Sequence, residues 1–191
     1  MSDRPLDERH NPWTTRTTEV RYENPWIRVE HNTVLNPAGN EGIYGVVRFK
    51  NVAVGIIPVD DEGNIWMVGQ YRYPHSRYSW EIPEGGSPLG TPTLESAKRE
   101  LLEEVGIRAR RWDHLLHIDL SNSVCDEVGE IWLARELEFT AAEPEETEEL
   151  QVRKLPLELA YQGVLSGKYR DSMTVAGILR LKLMLEEERR G

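Results

Sequence analysis

Arg99, Glu100, Glu103 and Glu104 lie within one short stretch of the chain, and their spacing suits metal chemistry. On an ideal helix, at about 100° per residue, Glu103 lies about 60° to one side of Glu100 and Glu104 about 40° to the other. The three carboxylates therefore share a face. Crowded carboxylates repel one another unless protons or cations neutralise them. Oxygen-only ligands on a rigid element suit Mg²⁺ or Mn²⁺, which pair a few carboxylates with waters and substrate phosphates. A bare Glu-x-x-Glu-Glu has a second meaning, an acidic helix face turned to solvent.

Presenting these acids requires an anchored helix. Leu94, Ala97, Leu101 and Val105 recur at helical spacing on the other side, so the acids are expected to point outward. Thr91 and Pro92 are expected as N-cap and N1, and Gly106 as the C′ residue that ends the helix. Upstream, strands are expected at Thr15 to Tyr22, Trp26 to Leu35, Gly42 to Phe49, Val52 to Val59 and Asn64 to Tyr71, with Asp60-Asp61-Glu62-Gly63 as a hairpin turn. Downstream, strands are expected at Trp112 to Leu120, Val128 to Leu137 and Leu150 to Leu155. A helix over Leu157 to Leu165 follows, then another from Asp171 or Ser172 toward Glu188.

The 191 residues suffice for one domain with a sizeable core, and no repeat or linker interrupts them. Cys125 is the single cysteine, which excludes an internal disulfide and points to a reducing, cytoplasmic setting. No apolar run approaches a membrane span, and the first residues are polar and charged, so neither signal peptide nor anchor is expected. A net charge of −10 argues against nucleic acid as the main partner.

Gly85 to Ile107 resembles the Nudix box, written G-x5-E-x7-R-E-U-x-E-E-x-G-U with U a bulky aliphatic residue. Eight of nine specified positions match: Gly85, Arg99, Glu100, Leu101, Glu103, Glu104, Gly106 and Ile107. Thr91 replaces the first glutamate, which weakens secondary metal or helix-start contacts more than the core site. The segments Val68 to Pro74 and Tyr78 to Gly86 are similar to those of ADP-ribose pyrophosphatases. Ser121-Asn122-Ser123, where that group has a proline-containing stretch, is closer to bacterial nucleoside diphosphate sugar hydrolases.

The resemblance implies a Nudix-type α/β/α sandwich with an added N-terminal antiparallel sheet. The chain would be one domain: residues 1–50 as a β extension at a homodimer interface and 51–191 as the catalytic core. It also implies Mg²⁺, with Mn²⁺ as substitute, held by Glu100, Glu103, Glu104 and the Glu84 carbonyl. Gly85, Arg99 and Gly106 would support that site. Arg72 would grip substrate phosphate or ribose, Glu81 would either contact substrate or form a structural salt bridge, and Glu148, Glu100 or Glu103 would take the proton of the attacking water. Trp26, Tyr44 and Trp80 are candidates for stacking on a base, with core or interface packing as the other role for each. The implied reaction is hydrolysis of a nucleotide sugar's diphosphate bridge. The alternatives are a nucleotide-sugar sensor of the same fold and a nucleoside triphosphate pyrophosphatase.

Overall fold

A computed structural model of the chain describes residues 10–140 and 150–190. Glu148 and the rest of 141–149 lie outside the described residues. The chain divides into two compact units, one built from the chain up to Lys50 with Ser121–Asp126, the other from Asn51–Leu120 and Glu127 onward.

The first unit is an antiparallel sheet in the order β1 (Thr14–Glu23), β2 (Ile27–Leu35), β3 (Glu41–Phe49). The Asn24 and Asn36 side chains accept backbone N–H bonds in the turns between the strands, which fixes the hairpins. Every residue of β1 is exposed. Glu30 is buried in the sheet between Arg28 and Arg48, and each guanidinium meets one of its oxygens.

The second unit contains two sheets. One runs β7 (Glu84–Pro88), β4 (Asn51–Pro58), β9 (Val128–Phe139), β8 (Ile107–Asp119), with β4 and β9 parallel and the other neighbours antiparallel. The other runs β10 (Gln151–Pro156), β5 (Asn64–Arg72), β6 (Arg77–Glu81), all antiparallel. Strands β4 and β5 are nearly continuous apolar runs, as strands covered on both faces should be. Alternation sorts them. Ile57, Met67 and Leu133 join a core with Ile178 and Leu181 of α3 (Ser172–Glu188) and Ala160 of α2 (Leu157–Leu165). Their neighbours Ile56, Trp66 and Ala134 join Ala97 and Leu101 of α1 (Thr93–Val105) in a second core. Helices thus cover both faces, giving the α/β/α sandwich, and none among the described residues is long and apolar enough to cross a membrane.

The expected strands and helices are all present, but two further strands, β6 and β7, occupy Arg77–Glu81 and Glu84–Pro88. The glycines and proline of β7 read as turn residues, and β6 is a short run of five residues. The sheet nevertheless recruits them, because β4 and β5 offer open ladder positions. The hairpin at 60–63 turns through Gly63 at φ +79, while the Asp60 carboxylate accepts from the backbone N–H groups of Glu62 and Asn64.

Candidate active site

Helix α1 leaves strand β7 through the turn at 89–92 and runs back alongside it, so Gly85 of β7 faces Glu100 of the helix. Its start differs from expectation. Pro92, not Thr91, is the N-cap, and no side chain caps the helix, while the Thr91 N–H closes a turn on the Pro88 carbonyl. Its end is as expected: Gly106 adopts φ 68 and returns its N–H to the last carbonyls of the helix.

The acids do not all point outward. Glu104 is 2% exposed, and its Oε2 accepts from the Glu84 N–H at 3.1 Å. Ala97, Leu101 and Glu104 sit at i, i+4 and i+7, so Glu104 ends the buried stripe. Glu100 is half-buried against the backbone of Gly85, where an added Cβ would meet its carboxylate carbon at 2.0 Å. Arg99 links the acids to β7: its guanidinium donates to Glu100 at 2.6 Å, to Glu103 at 2.7 Å and to the Gly86 carbonyl at 3.2 Å. Glu100 and Glu103 raise the Arg99 pKa against the opposing effect of burial.

On the neighbouring strands, the Arg72 Nε and Nη2 both donate to one oxygen of Glu81, at 2.8 and 2.5 Å, and Nη2 lies 3.8 Å from the Glu84 carboxylate. Glu81 is only 3% exposed, so it is a buried anion held by a half-exposed cation. Burial first, then the Arg72 attraction to Glu81 and Glu84, set the Arg72 pKa, with the net change upward. Burial, followed by the negative charge and hydrogen bonding of Asp171, pushes the Glu84 carboxyl well above the usual carboxylate range, with Arg72 opposing. Asp171 caps α3 by accepting from the Thr174 N–H at 2.7 Å. The Thr174 hydroxyl in turn accepts from the Ile82 N–H at 3.0 Å. Asp171 and Thr174 thus tie the start of α3 to the strand carrying Glu84. The sequence marked Asp171 as a helix start and gave no sign of this contact, which spans some ninety residues of chain.

Arg72, Glu81, Glu84, Gly85, Arg99, Glu100, Glu103, Glu104 and Gly106 thus belong to adjoining elements of one unit. Trp26 and Tyr44 belong to the other. Trp26 is 67% exposed at the turn before β2, while the Tyr44 hydroxyl donates to the Ser123 carbonyl at 2.8 Å and its ring meets Trp13 edge-on. Trp80 packs against the larger core with Arg153 over its ring at 4.0 Å.

The donor chemistry of the acidic face fits a hard divalent cation: carboxylates and a backbone carbonyl, part-buried where uncompensated negative charge is costly. Among the described residues no three acidic, histidine or cysteine side chains are drawn together into a ready ligand set. Arg99 instead supplies positive charge to Glu100 and Glu103.

Two family models match the chain: the NUDIX domain over residues 49–172 and the nucleoside diphosphate sugar hydrolase N-terminal domain over residues 13–47. The chain therefore belongs to the Nudix hydrolase family, and it has ADP-ribose pyrophosphatases among its relatives. An ADP-ribose pyrophosphatase of Mycobacterium tuberculosis is 38% identical over 131 residues, 66% of this chain and 63% of that protein, so the match spans less than two thirds of that relative. An ADP-ribose pyrophosphatase of Bacillus subtilis is 35% identical over 69% of this chain and 72% of its own, and a methanol dehydrogenase activator of Bacillus methanolicus is 30% identical over 88% and 92%. The crystal structure of an ADP compounds hydrolase superposes with a TM-score of 0.83 at 22% identity, covering 94% of this chain and 97% of that one, which shows the shared fold.

Proposed function

We propose that this protein hydrolyses the diphosphate linkage of a nucleoside diphosphate sugar, of the ADP-ribose, ADP-sugar or GDP-sugar type, to a nucleoside monophosphate and a sugar phosphate. The observation that carries this is the pairing, within one unit, of a part-buried carboxylate face on α1 with the half-exposed, charge-anchored Arg72. The N-terminal family match and the two ADP-ribose pyrophosphatase relatives support the substrate class.

Mg²⁺, or Mn²⁺ in its place, would be held by Glu100, Glu103, Glu104 and the Glu84 carbonyl. When bound it supplies charge neutralisation at the diphosphate and an acidified water. The protein's own groups do the rest. Arg72, fixed by Glu81, presents a guanidinium fork that suits phosphate oxygens. Arg99, bonded to the Gly86 carbonyl, restrains Glu100 and Glu103 at the glycine strand. Proton removal from water falls to Glu100 or Glu103, or to Glu148 of the acidic run. The fully exposed strand β1, with Val20 and Tyr22 uncovered, supports a homodimer that uses the N-terminal sheet.

A panel tests this reading: ADP-ribose, ADP-glucose, GDP-mannose and a nucleoside triphosphate, each with Mg²⁺ or with chelator, with the products identified. Cleavage of at least one diphosphate sugar between its phosphorus atoms, only with the cation, is expected. Tight binding without turnover would establish a sensor instead, and turnover confined to the triphosphate would move the chain to another substrate class.

A further inference from the structure

Strands β8 and β9 pair Arg111 directly opposite Arg135, and like charges so placed are destabilising unless something anionic lies between them. The protein supplies little that does. Arg135 is only 21% exposed, and its buried Nη2 makes no hydrogen bond; its one carboxylate neighbour, Glu188 of α3, stands at 4.0 Å. Arg111 reaches Asp113 at 3.3 Å through Nε alone. Glu136, beside Arg135, adopts φ +57, a left-handed conformation that side chains seldom hold without a local demand.

Both guanidiniums line a cavity of about 430 Å³ between the 60–63 hairpin, the β8–β9 ladder and the C-terminal half of α3. Val59, Leu181 and Leu185 give it an apolar wall, and Arg189 adds a third cation. That size and mixture suit a small organic ligand with an anionic end. Two of the lining acids are already engaged: Asp60 bonds Lys154 at 2.7 Å and Asn64, and Glu62 bonds Asn64. Asp61, Glu136 and Glu188 remain, the last at 4.0 Å from Arg135, and they limit how much negative charge the cavity can accept, which favours a monoester over a di- or triphosphate. None of the lining residues comes from α1 or β7.

We propose that this cavity is a second ligand site for a phosphate monoester of nucleotide size, with Arg111 and Arg135 gripping the phosphate and the leucine wall covering the organic part. The proposal does not rest on the hydrolytic reading. It is tested by calorimetric titration of AMP and of inorganic phosphate, in chelator, into the wild type and the R135Q, R111Q and R72Q variants. Apart from any AMP binding step that R72Q removes at the α1 site, the wild type is expected to show a step that R72Q leaves unchanged and that is at least tenfold weaker in R135Q and R111Q, whose unliganded melting temperatures stay level or rise as the like-charge pair is relieved. R135K, which keeps the charge and loses the fork, should fall between and serves if a glutamine variant misfolds. Phosphate is expected to bind more weakly than AMP with the same loss in both arginine variants. AMP affinity unchanged in R135Q and R111Q, or abolished by R72Q alone, overturns the proposal, as does a wild type that binds neither probe.

Discussion

Replacing Gly85 by alanine is expected to damage the site while sparing the fold. The new Cβ would stand 2.0 Å from the carboxylate carbon and Oε1 of Glu100, whereas carbon contacts are comfortable at about 3.5 Å. The carboxylate must therefore retreat by about 1.5 Å. It is the far end of a flexible side chain, and Gly85 itself lies outside the left-handed region, so the backbone accepts alanine and stability should change by less than about 1 kcal/mol. Catalysis should not escape so lightly. A displacement on the order of 1 Å costs about 100-fold, or about 2.7 kcal/mol of transition-state stabilisation. The assay compares kcat/KM on the best diphosphate sugar across a Mg²⁺ titration, with melting temperatures measured alongside. Because the effect passes through Glu100, G85A should add little on an E100Q background. Wild-type turnover and Mg²⁺ dependence in G85A, or full additivity with E100Q, would refute the reasoning.

E104Q should lower turnover by orders of magnitude at nearly unchanged melting temperature, because glutamine keeps an oxygen for the Glu84 N–H in that buried position. Partial burial of Asp60 raises its pKa, but the Lys154 and Asn64 hydrogen bonds outweigh this and lower it from 3.8 to about 2. Its folded pKa lies below the unfolded one, so the stabilisation is present above pH 3.8 and fades as pH falls toward 2. D60N should therefore cost no more than about 2 kcal/mol in denaturant melts at pH 6, since Lys154 is half-exposed and screened, and the difference should vanish near pH 2. G163A places a Cβ 2.2 Å from the Tyr169 ring, which is rigid and buried, so thermal melts should show a loss of about 1–3 kcal/mol with KM unchanged.

The sandwich was legible because its strands carry long apolar runs and its helices carry periodic ones. The acid face of α1 was legible because helical geometry is nearly fixed. What sequence reasoning missed depends on partners distant in the chain. β7 has glycines where strands prefer branched side chains, and its pairing with β4 decides its conformation. The depth of Glu104 was encoded in its spacing from Ala97 and Leu101, a signal masked by its charge. The contact of Asp171 with Glu84 had no local trace, since a helix cap satisfies an aspartate by itself.

The two ends of α1 differ in how much they tolerate changes in length. At its start, exposed Leu89 to Pro92 form a loose turn whose Gly90 and uncapped Pro92 could absorb extra residues. At its end there is no slack. Gly106 passes straight into Ile107 of β8, and its carbonyl accepts the Thr140 N–H at the far end of β9. One residue inserted between Glu100 and Gly106 would rotate part of the acidic face by about 100° against a strand that cannot follow. Relatives of this chain should therefore vary in length ahead of the helix and stay of constant length from Arg99 to Ile107.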